Sequence, residues 1–170
     1  MKRAFRLILA LLMLFAVALA DADDFLDDTQ TLVRSMNGNL AATTDETNGL
    51  FTEFYAYDDS IIYTTDDGQL SLDILPKGDW AAVRMFTLIA RDAEHIDAAL
   101  NAVATLAYYY GSNDSLAAVE QWTDANGEAL KTALADGSDP GTPVLQCPAF
   151  VGMASVIHEE APALKFTIMP

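Results

Sequence analysis

The chain has 170 residues, 52% of them hydrophobic, with 25 acidic residues against 9 basic ones and a net charge of −16. Such a field repels nucleic acid and anionic membrane surfaces, favours cationic ligands, basic proteins and divalent metals, and keeps an exported protein soluble. The single cysteine, Cys147, excludes an internal disulfide.

Lys2, Arg3 and Arg6 precede an unbroken apolar run from Leu7 to Ala20, and Ala18-Leu19-Ala20 supplies the small-x-small pattern that signal peptidase reads. The run stops at Asp21, short of the about 20 residues that a spanning helix needs. Residues 1–20 are therefore predicted to be a cleavable secretory signal peptide, and residues 21–170 a single acidic domain. Cleavage removes those three bases and no acid, deepening the net charge from −16 to −19. The expected location is extracellular, or periplasmic where the source has an outer membrane, with membrane contact only through the leader. Scarce cysteine in an exported protein suits a bacterial source.

Phe25, Leu26, Thr29, Leu32, Val33 and Met36 fall at helical spacing, which predicts a helix over 24–37 ending at Asn37-Gly38. Residues 39–49 are small and polar and read as a loop, or as a weak strand from Leu40 to Thr44. The period then changes. Leu50 to Tyr57 is aromatic, Ile61 to Thr65 is β-branched, and Leu70, Leu72 and Ile74 alternate with Ser71 and Asp73, as strands with one buried face do. Asp58-Asp59-Ser60 and Asp66-Asp67-Gly68 are turn sequences, so 50–75 reads as an antiparallel meander.

After a turn at Pro76-Lys77-Gly78-Asp79, Trp80 to Ala90 is predicted as a strand. Asp92 follows as the N-cap of a helix over 93–110 carried by Ile96, Leu100, Val103, Ala107 and Tyr110. A second helical stretch after Asp114 holds Leu116, Val119 and Trp122, and a third runs from Glu128 to Ala135 beyond a break at Asn126-Gly127. Residues 136–143 are a loop, and Ala149–Ile157 and Leu164–Met169 form a closing hairpin around Glu159-Glu160-Ala161-Pro162. The element order predicts an α+β fold: an antiparallel sheet of about five to six strands with two to three helices packed on one face. That order is loosely similar to type III secretion chaperone-like domains and other two-layer folds, a resemblance that implies architecture and not function.

Four sets of residues could carry chemistry. Cys147 with His158 supplies a thiol and an imidazole base, the minimum for nucleophilic catalysis, although nothing near Cys147 in sequence would lower its pKa. His95 stands among Asp92, Glu94 and Asp97, which the helix dipole and capping explain without a metal. Asp66 with Asp67, and Asp136 with Asp139, place carboxylates beside turn glycines, the donor chemistry of calcium, but without EF-hand spacing. Tyr55, Tyr57 and Tyr63 in the meander and Tyr108 and Tyr109 at the helix end could form an aromatic platform for a peptide or glycan.

No Ser-centred elbow, P-loop, dinucleotide fingerprint or zincin helix occurs. The expectation is an exported acidic protein without a cofactor, acting as a non-catalytic binding or accessory domain for a protein, peptide or glycan. The alternatives are an exported hydrolase using Cys147 and His158, and a weak calcium-binding extracellular domain.

Overall fold

The computed structural model describes residues 25–42, 49–57, 59–77, 82–158 and 161–170. The expected signal peptide lies outside them, as do Asp58, Gly78, Asp79, Trp80, Glu159 and Glu160 of the expected turns and strand.

The first helix, α1, covers residues 25–42 and buries Phe25, Leu32, Val33, Met36 and Leu40. It runs past Asn37-Gly38, where the sequence suggested an end. Asn37 does not cap the helix: its Nδ2 donates to the Phe51 carbonyl at 2.8 Å, and its Oδ1 accepts from the Phe51 N–H at 2.9 Å. The side chain thus pairs with the strand-like backbone beyond the helix, and Leu40, expected in a loop or weak strand, extends the buried stripe by one turn.

Seven strands and two further helices follow: β1 (Glu53–Ala56), β2 (Ile61–Thr64), β3 (Leu70–Pro76), β4 (Val83–Ala90), α2 (Ile96–Tyr110), α3 (Asn113–Asp136), β5 (Val144–Gln146), β6 (Val151–His158) and β7 (Pro162–Met169). The sheet order is β1-β2-β3-β4-β7-β6-β5, and every neighbouring pair is antiparallel. The fold is α+β, with one strand more than expected. The additional strand is β5, whose three residues are too few to show a period in sequence.

The expected second and third helices are one. α3 passes through Asn126-Gly127 unbroken because Asn126 Nδ2 donates within the helix to the Trp122 carbonyl at 2.8 Å, and Gly127 is buried beside Leu100 of α2. The helix ends at Gly137, whose φ of 72° is the left-handed conformation that commonly terminates helices.

All three helices lie on one side of the sheet. Register places Tyr63, Leu72, Leu88 and Phe166 in one cross-strand row, and Ile61, Ile74, Phe86, Ile168, Gly152 and Leu145 in the next. α1 reaches this side through Thr29 Oγ1, 3.0 Å from the Tyr63 hydroxyl. α2 reaches it through Tyr110, with ring centroids 5.6 Å from Phe86, and α3 through Trp122, 6.4 Å from Phe166. Leu70, Leu72, Ile74, Phe86, Leu88 and Leu164 are fully enclosed there, which makes this layer the core.

Candidate functional site

Because strand side chains alternate, fixing the helix-covered side also fixes the other one. Its central row takes one residue from each strand: Tyr55, Ile62, Asp73, Thr87, Thr167, Met153 and Val144. In one flanking row Leu75 faces Met85, and Met169 faces Val151; the row on the other side is mostly polar, running through Glu53, Thr64, Ser71, Ile89, Lys165 and Ser155. No described helix packs on this side. Apart from buried Thr87, the central row is half-buried or exposed. At one end Val144 is 60% exposed, Met169 45%, Val151 41% and Met153 40%, and register makes these four neighbours. They form a contiguous apolar patch on strands β5, β6 and β7.

Asp73 sits on this face between Ile62 and Thr87, with Ser71 and Leu75 on either side of it along β3. Its Oδ1 is closed off from solvent and has no hydrogen-bond partner. Burial raises its pKa above the ordinary 3.8, and the Asp59 carboxylate adds to the rise; the Ser60 hydroxyl and the Lys165 ammonium oppose it.

Cys147 and His158 are not brought together. Cys147 lies in the turn before β6, half-buried, with its thiol directed to the Phe150 carbonyl at 3.6 Å, whereas His158 is the exposed last residue of β6. At about 3.3 Å per residue the strand holds them roughly 20 Å apart, too far for a proton to pass between nucleophile and base.

The acidic turns serve local structure. Asp66 accepts from the Thr52 hydroxyl, Asp136 Oδ1 from the Ser138 N–H at 2.8 Å, and Asp139 Oδ1 from the Gly141 N–H at 2.9 Å. Asp67 accepts from the Thr65 hydroxyl at 2.6 Å and the Gln69 N–H at 3.0 Å, and these bonds, together with nearby His95, hold its pKa low. The two acid pairs are on different elements, and among the described residues no three His, Cys, Asp or Glu side chains form a metal-binding group.

His95, by contrast, is drawn into a bridge that sequence reading did not anticipate. It is 3% exposed, with Nδ1 2.7 Å from Asp92 Oδ1 and Nε2 3.3 Å from Asp67 Oδ2. The same Asp92 oxygen accepts the His95 N–H at 2.9 Å just ahead of α2. The imidazole thus ties the β2–β3 turn to the start of α2. Nδ1 is taken by Asp92, whereas the buried Nε2 faces Asp67 Oδ2 at 3.3 Å without completing a hydrogen bond.

The tyrosines do not form one platform. Tyr63 is a correction: it is 4% exposed and lies in the core with its hydroxyl on Thr29, because β2 turns alternate residues toward the helices. Tyr55 projects onto the open face, 48% exposed, with its hydroxyl donating to Glu53 at 2.9 Å. Tyr57 is exposed just beyond β1, while Tyr108, Tyr109 and Tyr110 end α2 in the helical layer. Tyr109 and Tyr110 line a cleft of about 370 Å³ with Phe25, Asp28, Lys77 and Val83; burial pushes the Tyr110 hydroxyl up to about 12.

The residues that sequence reading missed are Val144, Val151, Met153, Met169 and Asp73. A signal was present in β6, where Val151, Met153 and Ile157 on one parity are interrupted only by Ser155, so the strand lacks the polar outer side of a simple alternating pattern. Compared with family models, curated proteins and solved structures, the chain finds no match, so function rests on the chemistry of these surfaces.

Proposed function

We propose that the protein is an exported, non-catalytic binding or accessory domain that receives a protein or peptide on the open face of its sheet. The observation that carries this reading is the patch of Val144, Val151, Met153 and Met169, each 40% exposed or more and contiguous by register. Apolar surface concentrated in one patch marks interaction sites, whereas scattered exposed residues need no explanation. Two of the four are methionines, whose flexible, polarizable side chains adapt to a partner's shape. A glycan fits less well, since sugar stacking uses flat aromatic rings and the exposed Tyr55 and Tyr57 stand at the β1 edge, at the opposite end of the sheet from the patch. The thiol hydrolase alternative lacks its assembled pair.

Site-specific photocrosslinking in the host cell tests the proposal. A benzophenone side chain at position 144 is expected to give a discrete protein adduct that Met153→Glu abolishes, while the same group at exposed position 121 on α3 gives none. Equal adducts from both positions, or none from 144, would contradict it.

A further inference from the structure

Asp73 is a poor choice for stability where it stands. The middle of a strand favours β-branched or aromatic residues, and a carboxylate taken partly out of water needs donors that Oδ1 does not have. Nearby charge makes matters worse: Asp59 acts on it unfavourably, and Glu53 lies on the same face two residues before Tyr55. Lys165 is the only base on the open face among the described strand residues, and no ion pair there joins it to Asp73. The surroundings therefore leave a negative site half-sheltered on the open face, beside Ile62 and Leu75 and three strands from Met153, on a chain of net charge −16.

We propose that the partner taken on the open face is a cationic amphipathic protein segment, and that Asp73 selects it by pairing with one of its lysine or arginine side chains. The proposal rests on the open-face reading above and adds the sign of the partner and the residue that reads it. Apolar contacts with Met153, Met169 and Val144 supply area, and the arriving cation supplies a charged partner to a carboxylate that only the Ser60 hydroxyl and distant Lys165 favour in the free protein. Pairing in a sheltered position is where a charge contributes to specificity, since water no longer screens it. The negative field of the whole chain speeds the encounter.

The test uses the full chain with isotope-labelled methionine methyls and two synthetic amphipathic helices of about five turns. One has leucine on one face and lysine on the other; the second replaces each lysine with glutamine. The leucine–lysine helix is expected to shift the Met153 and Met169 methyl resonances and leave buried Met36 in place. Asp73→Asn should weaken that binding more than roughly tenfold, as loss of one partner of a sheltered charge pair does. An unshifted Met36 methyl in the variant shows that the fold is intact.

Four results would overturn the proposal, each in a different way. If the lysine and glutamine helices bind alike and Asp73→Asn changes neither, the anchor fails while the face stands. If neither helix moves the Met153 and Met169 methyls, the face reading itself fails. If a leucine-free lysine–serine peptide binds the chain equally well, net charge alone is responsible. If the chain sediments as a dimer that Asp73→Asn separates, the face is filled by a second copy and not by a cationic partner.

Discussion

Asp73 and His95 are both polar groups in sheltered positions, and each keeps one buried atom without a hydrogen bond. His95 Nδ1 is bonded to Asp92 while Nε2 only approaches Asp67; Asp73 Oδ1 meets no donor. Since burial raises the folded pKa of Asp73 above 3.8, its ionised form opposes folding above that folded value, and the opposition is gone below 3.8. Asp73→Asn is therefore expected to stabilise the fold modestly near neutral pH, by well under about 1 kcal/mol because solvent screens a half-exposed carboxylate, and to change nothing well below pH 3.8. Urea denaturation at the two pH values measures it; a neutral-pH loss of stability would contradict the sign. Sequence showed Asp73 as a polar residue in an alternating strand, which is correct, but alternation does not distinguish an outward residue in water from one among apolar neighbours. Asp92 was expected to cap a helix from 93, but α2 starts at Ile96 with His95 in the N-cap position, because Asp92 holds the His95 N–H in the turn before it. The Asp67 contact to His95 depends on a turn from elsewhere in the chain.

At the scale of elements, local punctuation was overridden wherever tertiary contact used the punctuating residue. Asn37-Gly38 resembles a helix end, yet Asn37 binds Phe51 and α1 continues; Asn126-Gly127 resembles a break, yet α3 continues with Gly127 against α2. Strands β1 to β4 and the β6–β7 hairpin were legible because their periods and turns agree, while β5 gains its identity from pairing with β6. The two kinds of glycine make opposite predictions. A Cβ at Gly127 would meet Leu100 and Thr123 at ordinary distances of 3.7 and 3.8 Å, so Gly127→Ala is expected to stabilise by up to about 1 kcal/mol through helix propensity. A Cβ at Gly49 would fall 2.3 Å from that of Ala98, with φ at +87°, so Gly49→Ala is expected to destabilise by about 2 kcal/mol or more. Thermal unfolding of the two variants checks both directions.

The whole molecule is a sheet with all its described helices on one side, and that asymmetry gives it a surface to use. The fold class was legible because strands, helices and strands follow one another without regular alternation. The apolar patch on the free face was not, because a pattern of buried and exposed positions says which residues share a side, not whether the outer side is polar. Three of the described methionines report most clearly on the two sides: Met36 is 2% exposed in the core, Met153 40% and Met169 45% on the open face. The most direct measurement is the relaxation of their methyl groups by a soluble paramagnetic agent in the free protein. An open apolar face predicts strong relaxation at Met153 and Met169 and almost none at Met36. Protection of Met153 and Met169 equal to that of Met36 would mean that this face is covered, and would contradict its use as a binding surface.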